Sequence, residues 1–229
     1  MRFSDLPERL REVRDRIDAA VQRGGHHQRV TVVAVTKTHG PEAVDAALKV
    51  GLQDVGENRV QEALSKMDAV RGAVRWHLIG HLQRNKAKYV TRFDLVHSID
   101  SSRLADAVNE VGCQASRPID VLLQVNVVGE ETKGGFTLQT LQAEGDRLRG
   151  STGLHVRGVM AMAPLDAEEQ TLRRVFGGAR RAREALLACG HPATELSMGM
   201  SNDFEQAVEE GATLVRLGTI LFGAREATA

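Results

Sequence analysis

The chain has 229 residues with 30 basic and 30 acidic side chains, so its net charge is zero, which argues against a nucleic-acid footprint. Two cysteines, Cys113 and Cys189, stand alone without the spacing of a metal or redox motif. The N-terminus lacks the apolar stretch of a signal peptide, and no apolar run is long enough to cross a bilayer. The composition predicts a cytoplasmic protein with neither nucleic-acid nor membrane partners.

The chain opens with an amphipathic helical pattern that Gly24-Gly25 ends. The apolar face of this helix consists of Leu6, Leu10, Val13 and Ile17. Residues 30–35 then form a continuous, largely β-branched run, which is typical of a parallel strand buried on both faces.

Strand and helix patterns alternate over the rest of the chain. The predicted strands are residues 30–35, 53–55, 75–79, 93–98, 119–126, 155–160, 194–197 and 213–217. The predicted helices between them are residues 41–50, 59–70, 82–90, 102–111, 138–148, 167–188 and 203–210.

Strict alternation of strand and helix implies a parallel sheet with right-handed crossovers. Eight such units favour a single α/β domain, a (β/α)8 TIM barrel over residues 1–229. A doubly wound sheet is the alternative, although it usually stops at about five or six strands.

In a barrel of this class the working residues lie at the carboxyl ends of the strands. Lys37 follows the first strand with the same parity as Val33 and Val35, so it is expected to project into the barrel mouth. An apolar strand end is expected to desolvate this lysine and so favour the neutral amine that attacks an aldehyde. The alternative is a lysine that merely terminates the strand at the surface.

The loops after strands seven and eight form the usual phosphate site of such barrels. Gly199 and Gly218 would let backbone N–H groups approach an anion, and Ser201 and Thr219 would add hydroxyl donors. The two glycines could instead be turn formers without a ligand. A lysine at strand one and a phosphate site at strands seven and eight together suit a phosphorylated aldehyde.

Three other polar residues follow or end strands. Arg216 is expected to point into the barrel two residues before Gly218. Asn58 follows strand two, where it could be only a helix N-cap. His81 follows strand three, where it is either a catalytic base or an ordinary loop histidine.

Several segments, in this order, resemble one known family over essentially the whole chain. They are Val33 to Lys37, Gly56 to Glu62, Trp76 to Lys86, His97 to Asp100, Gly158 to Met160, Leu196 to Asp203 and Val215 to Gly223. The chain resembles the pyridoxal 5′-phosphate (PLP) homeostasis proteins, the YggS/PROSC family, whose barrel is related to the N-terminal domain of alanine racemase, the type III PLP fold. It departs from its relatives at Gly134-Gly135 and at residues 161–164.

The resemblance implies PLP as the cofactor and names its contacts. It implies that Lys37 holds PLP as an imine and that Arg216 lies by the pyridine nitrogen. Ser201, Gly218 and Thr219 would hold the phosphate, and Asn58 would lie near the cofactor.

Two functional classes remain: a PLP carrier without dedicated catalysis, and a PLP-dependent racemase acting on amino acids. The second needs acid–base groups on both faces of the cofactor. The chain ends at Ala229, which predicts that it lacks the second domain of alanine racemase, and its only tyrosine, Tyr89, is expected far from the site. The sequence therefore favours the carrier, a monomer that could pass PLP to apo-enzymes.

Overall fold

The computed structural model describes residues 3–129 and 134–223, and its centre is a closed barrel of eight parallel strands in chain order. The strands are β1 (Thr31–Val35), β2 (Asp54–Glu57), β3 (Arg75–Leu78), β4 (Leu95–Ile99), β5 (Ile119–Gln124), β6 (Leu154–Met160), β7 (Glu195–Ser197) and β8 (Leu214–Leu217). The predicted α/β fold, a (β/α)8 TIM barrel, is confirmed, and the doubly wound alternative is wrong.

A helix follows every strand, and one precedes the barrel. The helices are α1 (Leu6–Gly24), α2 (Pro41–Lys49), α3 (Val60–Ala69), a 3-10 helix (Arg84–Arg92), α4 (Ser102–Gln114), α5 (Leu138–Leu148), α6 (Glu169–Ala188), α7 (Phe204–Glu209) and α8 (Thr219–Phe222). The main hydrophobic core packs these helices against the outer face of the sheet.

Helix α1 confirms the predicted apolar face. Leu6, Leu10, Val13 and Ile17 are all buried, and Gly25 ends the helix with φ of 68°. Ion pairs from Arg16 and Arg23 to Glu205 join α1 to α7.

The helix predicted over residues 82–90 is a 3-10 helix from Arg84 to Arg92. Its buried side chains, together with the residue that follows it, recur every third position, at Ala87, Val90 and Phe93. Three residues per turn place them on one face, whereas an α-helix would rotate them apart. Because the 3-10 helix extends to Arg92 and Phe93 is its C-cap, β4 begins at Leu95, two residues later than predicted.

Pairing between β8 and β1 closes the barrel and sets the geometry of the site. Thr31 pairs with Leu214 and Ala34 with Leu217, so the ends of the two strands are level. The loop after β1 therefore lies beside the loop after β8, which is the juxtaposition that the sequence predicted for Lys37 and Gly218.

Inside the barrel, a separate apolar cluster comes from five strands: Val33, Leu95, Leu122, Met160 and Leu214. His97 lies two residues after Leu95, and Arg216 lies two residues after Leu214. Side chains two apart on a strand share a face, so His97 and Arg216 also point into the barrel.

Some predictions concern residues that the structure does not describe. Residues 130–133, which precede Gly134-Gly135, lie outside the described residues, and a single domain over residues 1–229 stays a prediction. Within residues 3–129 and 134–223, no helix is long and apolar enough to cross a membrane. Both cysteines are free, with Cys113 exposed and Cys189 buried.

Candidate functional site

A cavity of about 860 Å³ opens at the carboxyl ends of the strands. All six residues that the sequence singled out as cofactor contacts line it: Lys37, Asn58, Ser201, Arg216, Gly218 and Thr219. Its rim is open, since Leu165 is 81% exposed and Met162 is 36% exposed. The predicted residues thus line one solvent-accessible cavity, whose volume is in the range of small-molecule binding sites.

Lys37 is placed as predicted but is not desolvated as predicted. It lines the cavity with Val35, yet its side chain is exposed, in the turn that follows β1. The strand β1 ends at Val35, and Lys37 lies in a turn in which Thr38 has a positive φ of 71°. The expected desolvation of Lys37 is therefore wrong, because the barrel mouth is open above it.

A buried ion cluster holds this turn from behind. The Lys66 ammonium donates to the Thr36 carbonyl at 2.8 Å, to Glu57 Oε1 at 2.6 Å and to Glu62 Oε1 at 3.1 Å. The Thr36 hydroxyl also donates to Glu57, and the Thr38 amide donates to Glu62 at 2.7 Å. Lys66 and Glu57 are 4% and 0% exposed, so the cluster fixes the backbone on both sides of Lys37.

Burial raises the pKa of Glu57, although the Lys66 ammonium and the Thr36 hydroxyl oppose that shift. One of its oxygens, Oε2, is buried without a hydrogen-bond partner in the described part of the chain. The carboxylate of Glu57 thus depends on Lys66 and Thr36 for its stabilisation.

Arg216 points into the barrel, as predicted, and is only 4% exposed. Its guanidinium donates from Nη1 to Ser197 Oγ at 2.6 Å and from Nη2 to the Ala161 carbonyl at 3.0 Å. Burial lowers the pKa of Arg216 to about 10, while the Asp203 carboxylate acts in the opposite direction. Since it lines the cavity, Arg216 presents a buried cation to any molecule bound there.

Ser201, Gly218 and Thr219 lie together at the β8 side of the cavity. The Ile220 amide donates to Ser201 Oγ at 3.3 Å, which ties the loop after β7 to the first turn of α8. A Cβ on Gly218 would lie 3.3 Å from the Val35 carbonyl, so this position has little room for a side chain. The three residues form a wall of small polar groups beside the β1 end.

Gly199 does not line the cavity. Its φ is +91°, and a Cβ there would lie 2.7 Å from the Ala207 Cβ and 2.9 Å from the Phe204 Cα. Its positive φ and close packing on α7 thus account for this glycine.

Asn58 and His81 both line the cavity. Arg59, not Asn58, occupies the N-cap of α3, so the N-cap interpretation of Asn58 is wrong. His81 is 69% exposed, and its Nδ1 lies 3.1 Å from Asp100 Oδ2. Tyr89 lies in the 3-10 helix against the core and is not part of the cavity wall.

The sequence interpretation missed a row of buried polar side chains inside the barrel: Asp54, His77, His97 and Ser197. Two histidines within predicted strands, His77 and His97, were the available indication. His97 has the parity of the inward Leu95, and Asp54 has the parity of Gly56, whose Cβ position contacts the inward Val33 of the neighbouring strand.

The alanine racemase N-terminal domain family matches residues 9–226. A pyridoxal phosphate homeostasis protein from Aquifex aeolicus (strain VF5) is 40% identical over 223 residues, which cover 96% of this chain and 98% of that protein. The chain therefore belongs to the alanine racemase N-terminal domain family and, within it, to the pyridoxal phosphate homeostasis proteins.

Solved structures agree with this assignment. PipY of Synechococcus elongatus PCC7942, with PLP bound, is 36% identical with a TM-score of 0.84, and the match covers 95% of this chain and all of that one. Alanine racemase from Corynebacterium glutamicum is 18% identical with a TM-score of 0.68, over 94% of this chain and 62% of that one. The second likeness concerns the fold alone.

Proposed function

We propose that this protein binds PLP in the cavity at the carboxyl end of the barrel and serves intracellular vitamin B6 homeostasis. The observation that carries the proposal is one cavity lined by a lysine amine, a buried guanidinium and two hydroxyls beside a glycine. This donor set fits PLP, which has an aldehyde, a ring nitrogen and a phosphate. PLP supplies an electrophilic carbonyl joined to an electron-withdrawing ring.

Lys37 is the proposed covalent anchor. Its Nζ amine would hold the cofactor as an imine at the aldehyde carbon, with the loss of one water molecule. The exposed position of Lys37 suits this exchange because the aldehyde reaches the amine through the open rim. The cluster of Glu57, Glu62 and Lys66 keeps the turn in place while the lysine reacts.

Arg216 is proposed to donate a hydrogen bond to the ring nitrogen, and Asn58 to contact the cofactor beside it. A guanidinium disfavours protonation of that nitrogen, which makes the ring a weaker electron sink. The structural support is that Arg216 is buried, held by Ser197 and Ala161, and still part of the cavity wall.

Ser201, Gly218 and Thr219 are proposed to hold the phosphate. Replacing Ser201 and Thr219 together by alanine is expected to weaken PLP binding more than pyridoxal binding, because only PLP carries the phosphate. Each lost hydrogen bond to a charged group costs about 1.5–3 kcal/mol. Titration of both ligands into the wild type and the double variant measures the difference, and an equal loss for the two ligands would refute this phosphate site.

The carrier function is proposed over catalysis. The cavity rim is open, whereas sequestered chemistry needs water excluded. Lys37 provides one acid–base group, and no tyrosine lies on the wall that the described residues form. An open pocket with a weak electron sink suits loading and release of the cofactor.

A PLP-dependent racemase-like activity is the second candidate. The pairing of His81 with Asp100 favours it, since a histidine oriented by a carboxylate is a common general base and this one lines the same cavity as Lys37. The exposure of His81 counts against it, because a mobile imidazole on a rim is poorly positioned.

Incubation of the loaded protein with each L-amino acid in deuterated water is expected to give no appreciable α-proton exchange by NMR. Turnover of about 1–10³ per second for any substrate would overturn the carrier function. His81→Gln would then be the first variant to measure, with His155→Gln as a control for a paired histidine outside the cavity.

The remaining parts of the proposal concern location and partners. We propose a cytoplasmic monomer that can transfer PLP to apo-enzymes. Mixing the loaded protein with an apo-enzyme and following recovery of that enzyme's activity tests the transfer, and sedimentation tests the monomer.

A further inference from the structure

A row of polar side chains crosses the interior of the barrel beneath the cavity. Asp54 Oδ1 lies 3.0 Å from His77 Nε2, and His77 Nδ1 lies 2.9 Å from His97 Nε2. His97 Nδ1 lies 2.9 Å from Ser197 Oγ, which accepts from Arg216 Nη1 at 2.6 Å. The exposed fractions of these side chains run from 0% to 9%, so four consecutive hydrogen bonds are shielded from water.

The chemistry of the two ends limits the bonds between them to two possible directions. A guanidinium only donates and an ionised carboxylate only accepts. If Ser197 accepts from Arg216, its own proton is free to go to His97 Nδ1. His97 then carries its proton on Nε2 and gives it to His77 Nδ1, and His77 donates from Nε2 to Asp54.

The opposite direction is less favourable. It would need a proton on both nitrogens of His77, and His97 would donate from Nδ1 to Ser197. Ser197 Oγ would then accept twice, and its hydroxyl proton would have no acceptor among the described residues. It would also place an imidazolium next to His97 within an interior that already holds the Arg216 cation.

The surroundings of the row make Asp54 ionised and His97 neutral, and the hydrogen-bond geometry described above distinguishes the two directions. Burial alone would raise the pKa of Asp54, but hydrogen bonds from His77 and Arg75 outweigh it and lower the pKa to about 2. Burial, with the Arg216 guanidinium nearby, lowers the pKa of His97 well below its usual value, so His97 is neutral in either direction. The other charged group facing Arg216 is Asp203.

We propose that Asp54, His77, His97 and Ser197 are positioning residues that hold Arg216 through this single directed chain of hydrogen bonds. Ser197 Oγ accepts a hydrogen bond from Nη1 and the Ala161 carbonyl accepts one from Nη2, and these two bonds fix the plane of the guanidinium. The remaining N–H groups of Arg216 can then donate to a bound molecule. Arg216 held in this way would recognise a ligand whose ring nitrogen accepts a hydrogen bond. This consequence rests on the proposed binding of PLP.

The direction of the chain can be measured without any cofactor. In protein labelled with ¹⁵N-histidine, long-range ¹H–¹⁵N spectra report which ring nitrogen carries the proton, and loss of signals in His77→Asn and His97→Asn assigns the two rings. We expect both rings to be neutral with the proton on Nε2 at pH 7. A proton on Nδ1 of either ring, or a charged ring, overturns the proposal whether or not the protein binds PLP.

The effect on recognition is tested with two ligands, PLP and 1-deazapyridoxal 5′-phosphate, which lacks the ring nitrogen. A hydrogen bond from a charged donor corresponds to a preference of about tenfold or more for PLP in the wild type. Ser197→Ala is expected to lower this preference several-fold with little change in the affinity for the deaza analogue, and Ser197→Thr, which keeps the hydroxyl, should restore it.

An unchanged preference in Ser197→Ala would show that the row is structural only and would overturn the proposal. Absence of PLP binding by the wild type would instead refute the proposed function, and the histidine spectra would still decide the direction of the chain. If Ser197→Thr does not fold, Asp54→Asn provides the second variant. An unchanged preference for PLP in both Asp54→Asn and Ser197→Ala would likewise overturn the proposal.

Discussion

Replacing Lys37 by alanine is expected to abolish the covalent attachment of PLP. After incubation with PLP and reduction with borohydride, wild-type protein should carry the label on the peptide that contains Lys37, and Lys37→Ala should carry none. The physical reason is that Lys37 is the lysine among the described residues that line the cavity, and it lies after β1 beside the wall formed by Ser201, Gly218 and Thr219. Lys37→Ala is expected to keep part of its affinity for PLP through those phosphate contacts.

Lys49→Ala is the matched control, because Lys49 is exposed on α2, the helix that follows the same turn, and does not line the cavity. It should label like the wild type. Label on Lys86, which lies in the 3-10 helix, or on Lys133, which lies outside the described residues, would contradict the assignment of the anchor.

Replacing Lys66 by methionine is expected to destabilise the fold by about 3–5 kcal/mol, because it leaves the fully buried carboxylate of Glu57 without its cation. Denaturant unfolding measures the loss. The effect should be smaller at acid pH. With Lys66 gone, the raised pKa of Glu57 rises further, so Glu57 folds in its neutral form at low pH, and stability is lost as the pH rises through that folded-state value.

Two further variants isolate the buried pair. Glu57→Gln combined with Lys66→Met should recover much of the stability, since no unpaired charge remains. Lys49→Met, at an exposed helical position, should lie near the wild type. A loss in Lys66→Met that is small at neutral pH would contradict the idea that this cluster fixes the turn of Lys37.

The fold could be predicted because its pattern is local. Continuous apolar runs such as Val30 to Val35, each followed by a helical pattern, specify eight strand–helix units. Eight such units pair in parallel, and the sheet closes into a barrel. The location of Lys37 at the cavity also followed from its place directly after the first strand. Its exposure did not, because the open rim depends on how the loops after several strands are arranged.

The buried polar groups could not be predicted in the same way. Lys66 has the sequence context of a surface lysine on α3, and only the packing of α3 over β2 brings it onto Glu57. His97 lies in β4, and only closure of the barrel brings it to Ser197 on β7. Contacts such as that between His97 and Ser197 join residues 100 positions apart in the chain.

A crystal structure of the protein soaked with PLP tests the central claim most directly. The account predicts continuous density from Lys37 Nζ to the cofactor, with the phosphate against Ser201, Gly218 and Thr219 and the ring nitrogen facing Arg216. Density for PLP on another lysine, or for PLP outside the cavity at the carboxyl ends of the strands, would contradict it.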